Sequence, residues 1–369
     1  MLIGFDATSV GKHCTGIENY ALFIAQRLPR IDRENKYVIF ARDEFVQIPS
    51  CEDRVDVVDC PGGRLFAQYV SLAVIAQRRG VDFVHFPAFP PPLTITRPIV
   101  VTIHDAVVWK HPETVTLRSR LYFNALYKIA AKRAAAVVTV SESARQDILN
   151  VLRVPHERVH VVYPGVGEHF NRVSDPAKLA ATREQYDLPE TFVLFVGTFE
   201  PRKNLPTLIE SFRKFRNRGS NADVWLLLAG RAGWGKRGVA SALGSSGPDS
   251  RIRILGYVPA SDLVYLYNLA TAFVYPSLYE GFGSPPLEAM ACGTPTLVSN
   301  IPPFPELTRG AAALADPRSV DGLVRGLEAV CFDRSLRARL SEEGPRVAHS
   351  YRWEHTAASL VKLYREIFS

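Results

Sequence analysis

Short apolar runs of four to six residues recur along this chain, and most are followed by a longer stretch whose apolar positions have helical spacing. This alternation restricts the fold more than any other feature. An apolar run without a polar face belongs to a strand covered on both sides, and amphipathic helices supply the covers. The expected class is α/β with parallel sheets. The pattern runs through twice. The first pass places strands at 2–5, 37–40, 55–58, 83–86, 99–103, 136–140 and 159–162, with helices at 17–28, 65–79, 118–133 and 142–152. A polar, weakly patterned segment, 167–190, reads as a linker. The second pass places strands at 192–196, 224–229, 252–255, 272–275 and 296–299. Its helices fall at 205–216, 260–270 and 286–292, with others after Asp316 and Asp333. The expectation is two Rossmann-like domains facing a cleft, 1–166 and 191–350, with an amphipathic helix in 351–369.

The chain has 369 residues, of which 47% are hydrophobic, enough for two cores. No apolar run is long enough to cross a membrane. Met1-Leu2-Ile3-Gly4-Phe5-Asp6 reads as a first strand and not as a signal peptide. Five scattered cysteines form neither a metal-ligand spacing nor a disulfide framework, which fits a reducing cytosol. The net charge of +7 is mild for this length, and no nucleic-acid recognition module is visible, so nucleic acid is not an expected partner.

The chemistry concentrates between Tyr279 and Pro295. Glu280 and Glu288 stand eight positions apart, separated by Gly281-Phe282-Gly283-Ser284 and two prolines. Pro285 and Pro286 suit a helix entry, and Glu288 is expected in the first helical turn. A strand, a tight loop and a helix start would offer free backbone N–H groups to an anion. Carboxylates at both ends of such a loop suit a ligand with phosphate in the middle and hydroxyls at either end, as in a nucleotide-sugar. The plain alternative is two surface glutamates, one favoured by the helix dipole. A second strand-to-helix turn carries Thr198-Phe199-Glu200-Pro201-Arg202-Lys203-Asn204, whose cations need no deprotonation to meet a diphosphate.

Together these two stretches resemble the E-x7-E signature and the phosphate-contact loop of the retaining glycosyltransferases of family four, which have the GT-B fold. The resemblance is strongest from about Val193 to Glu306. It implies an acceptor-binding first domain, a donor-binding second domain and a final helix that crosses back onto the first. It implies that Arg202 and Lys203 meet the donor diphosphate, although the position after the glycine, often Arg in the family, is Thr198 here. Glu288 would hold the nucleoside ribose, since one carboxylate can accept from two vicinal hydroxyls. Glu280 would take hydroxyls of the transferred sugar. Gly281, Phe282, Gly283 and Ser284 would approach phosphates and sugar through their backbone, with the Phe282 side chain packing inward.

His104, in Thr102-Ile103-His104-Asp105, ends a first-domain strand and matches the family's active-site histidine. The loop 11–16, with Gly16, looks like a degenerate form of the family's glycine-rich first loop. Gly230 and Arg231 would form a loop over the donor. The run from Gly230 to Arg237 nearly spells a P-loop, but Arg237 replaces the magnesium-binding hydroxyl and no helix clearly begins there. The expected reaction is transfer of a hexose, mannose by subgroup resemblance, to a sugar hydroxyl of a glycan or lipid-linked oligosaccharide, with no cofactor and no metal. The rival readings are a P-loop NTPase, a sugar-nucleotide epimerase of the same fold, and a non-catalytic sugar-nucleotide or membrane-binding module. Residues 117–133 hold cations and aromatics and no acid, which suits either an anionic membrane surface or an ordinary solvated helix face.

Overall fold

The computed structural model describes residues 1–11, 14, 16–42, 53–218, 221–231, 233, 236–244 and 251–368. Lys12, His13 and Thr15 of the first loop, Cys51, and Ala232, Trp234 and Gly235 of the P-loop-like run lie outside these residues. The chain divides into two compact units. One comprises Met1–Gly165 and Tyr351–Ser369, the other Val166–Ser350.

The first unit is built on seven parallel strands: β1 (Leu2–Asp6), β2 (Lys36–Ala41), β3 (Val55–Asp59), β4 (Phe83–Phe86), β5 (Ile99–Thr102), β6 (Ala136–Thr139) and β7 (Val159–Val161). Their order is β3-β2-β1-β4-β5-β6-β7, so the winding reverses between β1 and β4. The second unit has β8 (Phe192–Val196), β9 (Trp225–Ala229), β10 (Ile252–Gly256), β11 (Ala272–Tyr275), β12 (Thr296–Ser299) and β13 (Ala313–Ala315). Their order, β10-β9-β8-β11-β12-β13, reverses between β8 and β11. The central strands explain the apolar runs. Every residue of β4, β5, β6, β8 and β11 is buried, as helices on both faces require. In such sheets, ligands bind beyond the strand C-termini where the winding reverses.

The final helix, Trp353–Phe368, packs on the helix Gly16–Ile31. Its Tyr364 hydroxyl bonds His85 Nδ1 under the sheet, Phe368 stacks on Phe83 with ring centroids 4.0 Å apart, and Glu354 pairs with Arg27 at 2.8 Å. The second pass of the fold thus ends before this helix, and the chain returns to finish the first unit.

Three expectations need correction. Segment 167–190 is not a linker. It belongs to the second unit and contains the helix Pro176–Gln185, capped by Asp175 and packed on the helix Ala260–Leu269. That helix buries only Thr182, so its sequence has almost no apolar stripe to read. A helix, Lys236–Gly244, does begin at the end of the P-loop-like run. The helix after β11 is Ser284–Ala291, which places Glu288 in the second turn and not the first. Strand β13 was not foreseen, because three residues are too short for a pattern.

Candidate active site

The reversal between β8 and β11 brings the two sequence motifs together. β8 and β11 are hydrogen-bonded neighbours, so their C-terminal loops emerge side by side. The loop after β8 forms a 3₁₀ turn, Pro201–Lys203, and then bends at Asn204 into the helix Leu205–Arg216. Asn204 has a left-handed backbone (φ 59°), a conformation asparagine tolerates better than most residues. Its amide donates to the carbonyls of Pro276 (3.2 Å) and Pro317 (2.7 Å). The Leu278 N–H donates to the Arg202 carbonyl at 2.8 Å, which ties the two loops directly.

The side chains form an alternating chain of charge. Arg202 Nε donates to Glu200 at 2.8 Å, and its Nη1 donates to Glu280 Oε2 at 2.6 Å. Lys203 Nζ donates to Glu280 Oε1 at 2.6 Å and to the Tyr275 hydroxyl, and lies 4.8 Å from the Tyr275 ring centroid. Glu280 is 6% exposed and Lys203 5%. Burial alone would raise the Glu280 carboxyl. The Arg202 and Lys203 charges, in direct contact, outweigh burial and hold it down at about 2. Burial and the Arg202 guanidinium pull the Lys203 ammonium below its ordinary value, against the opposing pull of Glu280. The carboxylate expected to face a sugar is therefore bonded through both oxygens to the cations expected to face phosphate.

Glu288 has a different setting. It lies half-buried on Ser284–Ala291 and accepts from the Tyr267 hydroxyl at 2.9 Å. Burial pushes its carboxyl up to about 7, against the lowering effect of that bond. Gly283 starts this helix with φ 93°, and a Cβ there would lie 2.7 Å from the Phe304 ring, so glycine is required. Phe282 is buried and Gly281 lies in the same buried loop, while Ser284 opens the helix. Gly230 follows β9 with φ 150°, and a Cβ would sit 1.9 Å from the Gly197 carbonyl oxygen. That contact keeps the loops after β8 and β9 together, as does the bond from Phe199 N–H to the Arg231 carbonyl (2.9 Å). The Arg231 guanidinium lies over the Tyr257 ring at 4.3 Å, and Thr198 lines the same loop beside Gly233.

In the first unit, His104 follows β5. Its Nε2 donates to the Pro87 carbonyl at 2.7 Å, which leaves Nδ1 as the acceptor of a neutral ring. The ring meets Tyr20 edge-on at 4.8 Å. Burial lowers its pKa, against the Pro87 bond. Neighbouring His85 bonds Tyr364 and Thr102, and burial drives its pKa down to about 3. Asp6 ends β1 fully buried. Thr8 donates to its Oδ1 through N–H (2.9 Å) and hydroxyl (2.6 Å), Oδ2 has no partner among the described residues, and burial pushes the carboxyl up to about 6. Gly16 opens the helix Gly16–Ile31.

The sequence reading missed Glu200, Asn204, Tyr267 and Tyr275 as parts of the site. Glu200 and Asn204 stood inside the quoted motif, and Tyr275 ends β11, where side chains approach the loops. No local pattern points to Tyr267. Among the described residues, no group of three or more His, Cys, Asp or Glu side chains is placed to hold a metal ion.

A cluster of acids and cations at the switch point of a parallel sheet, in a chain of two Rossmann-like units, is the arrangement expected of a GT-B-type glycosyltransferase. Comparison with known proteins agrees. Residues 15–169 match the model of Glycosyltransferase Family 4, and residues 180–347 match that of Glycosyl transferases group 1. The chain belongs to this glycosyltransferase family. It is 29% identical over 382 residues to O-antigen chain mannosyltransferase B of Escherichia coli, covering 99% of this chain and 100% of that protein. It is 32% identical to serotype-specific mannosyltransferase WbdA of the same organism over 238 residues, 64% of this chain but only 29% of that longer protein. Its fold resembles Anabaena Alr3699/HepE in complex with UDP-glucose, with a TM-score of 0.76 at 19% identity over 99% of this chain and 100% of that one.

Proposed function

We propose that this enzyme transfers mannose from GDP-mannose to a sugar hydroxyl of a glycan or lipid-linked oligosaccharide, with retention of configuration and without a metal. The observation that carries the reading is the Arg202–Glu280–Lys203 cluster between the loops after β8 and β11. When the sugar leaves, the bond from its anomeric carbon to the diphosphate oxygen breaks and negative charge grows on that phosphate. A fixed guanidinium and ammonium stabilise this charge most in the transition state. Glu280 holds both cations in place. Glu288, paired with Tyr267, takes the ribose hydroxyls. His104, Gly16 and Asp6 lie in the unit assigned to the acceptor. The preference for mannose rests on the two Escherichia coli relatives. We place the enzyme in the cytoplasm, at the inner membrane face, with 117–133 against the anionic surface.

Thermal shift with GDP-, UDP-, ADP- and dTDP-sugars, followed by transfer of labelled mannose in EDTA, tests the reading. Stabilisation by GDP-mannose and turnover that survives EDTA are expected. Stabilisation by a different base, loss of turnover restored by magnesium, or an isomerised free sugar nucleotide as product would overturn it.

A further inference from the structure

Nine of the fifteen large apolar side chains exposed among the described residues fall in one region of the first unit. They sit on two helical segments and the loop between them. The segment 64–79 runs through Arg64–Phe66, a π-helical turn Ala67–Ser71 and Leu72–Arg79. Phe66, Val70 and Val74 recur every four residues on its outer side, with Phe66 55% and Leu65 66% exposed. The helix Leu117–Arg133 repeats the arrangement with Leu117, Leu121 and Ile129, Leu121 being 61% exposed. Side chains four apart share a helix face, so each segment presents an apolar stripe to solvent.

The two stripes belong to one surface. The hydroxyls of Tyr69 and Tyr122 bond across it. Arg133 fixes the intervening loop by donating to the carbonyls of Leu93 (3.0 Å) and Ile95 (2.6 Å), and Phe89 stacks on Phe123 at 6.4 Å. Neither segment contains a carboxylate. Arg78, Arg118, Arg120, Lys128 and Lys132 are exposed around the stripes, and no ion pair is formed by any of them among the described residues.

We infer that this paired face is a membrane-docking surface in which 64–79 supplies an apolar wedge and 117–133 supplies most of the charge. The inference rests on the proposed membrane contact of 117–133 and extends it from adsorption to shallow insertion. The chemistry selects the occupant. Protein interface cores are depleted in charge, whereas helices that lie in a bilayer interface pair an apolar stripe with flanking Lys and Arg. Arg64 and Arg79, at the two ends of 64–79, pair with Glu18 and Asp56, while the remaining cations of these two acid-free segments complement anionic headgroups, and aliphatic side chains beside them reach the acyl boundary. No helix among the described residues is long and apolar enough to cross the membrane, so the contact is lateral.

Co-sedimentation with phosphatidylcholine vesicles containing phosphatidylglycerol, at low and high salt, tests this. Wild type should bind at low salt and keep a measurable fraction bound at high salt, because apolar insertion is not screened. The variant Phe66→Glu with Val70→Glu should bind roughly tenfold more weakly at both salts. Lys128→Glu with Lys132→Glu should lose binding at low salt only. All replaced side chains are exposed, so melting temperature and the shift given by nucleotide-sugar should match wild type. Wild-type binding by the apolar variant would overturn the wedge while leaving the basic helix in its role. Failure of wild type to bind would overturn both, without touching the donor site. A wild-type dimer without vesicles that the apolar variant converts to monomer would make the face a self-association surface instead.

Discussion

Asp6 and Glu280 are both buried carboxylates near the C-terminal edge of a parallel sheet, beside the strand at which the winding reverses. They are driven in opposite directions. Burial raises Asp6 to about 6, since among the described residues only Thr8 donates to it, whereas Arg202 and Lys203 overcome burial and hold Glu280 at about 2. The same contrast extends across the two units. The second gathers two cations and two acids within a few ångströms. The first keeps a carboxyl that binds its proton readily and two histidines held neutral by burial. One scaffold, used twice, carries a charged edge in one unit and a near-neutral edge in the other.

The contrast breaks most sharply at Lys203. Lys203→Ala removes one partner of a buried pair, and a loss of about 3–5 kcal/mol in folding stability is expected by denaturant titration. A loss near zero would mean that the pair is solvent-screened. Arg202→Ala should cost about 2.7–4 kcal/mol in the barrier, roughly a hundred- to a thousandfold in turnover. Turnover within a few-fold of wild type would remove it from the charge-stabilising role. Glu288→Ala should weaken nucleotide diphosphate binding by ~1.5–3 kcal/mol in calorimetry. Since ribose hydroxyls favour the ionised carboxylate, wild-type affinity should rise with pH through about 7 and flatten in Glu288→Gln. A pH profile unchanged by Glu288→Gln would count against the assignment.

The neutral edge yields smaller effects. His104→Ala should slow turnover about tenfold, or 1.4 kcal/mol, with donor affinity unchanged. Normal turnover would make the ring a packing group. For Asp6 the folded pKa lies above the unfolded one. Its favourable contribution is complete below the unfolded value of 3.8 and is lost as pH rises through about 6. Asp6→Asn should therefore raise the melting temperature relative to wild type at pH 7, and raise it much less at pH 4. Destabilisation confined to pH 7 would show that the carboxylate is wanted ionised.

Legibility in the sequence followed the range of each interaction. Buried parallel strands announce themselves through uninterrupted apolar runs, so Phe192–Val196 and Ala272–Tyr275 were placed without alignment. The motif cations and acids were readable as types. Their pairing was not, because the Arg202–Glu280 contact spans 78 positions and depends on β8 lying beside β11. Pro176–Gln185 escaped for the opposite reason, since a helix that buries almost nothing leaves no periodicity. Tyr267 was invisible because its hydroxyl has meaning only once Glu288 stands opposite, 21 positions away.

The return of Trp353–Phe368 to the first unit sets an order on synthesis. Residues 166–350 hold all the strands of their own sheet, so that unit can close as it leaves the ribosome. The first unit is translated earlier but cannot be completed then. One partner of His85, Tyr364, lies 279 residues downstream, and Glu354, which pairs with Arg27, lies 327 downstream. Through translation of the whole intervening unit, the surface that Tyr364 and Phe368 will cover stays open. The half made first is therefore the half finished last.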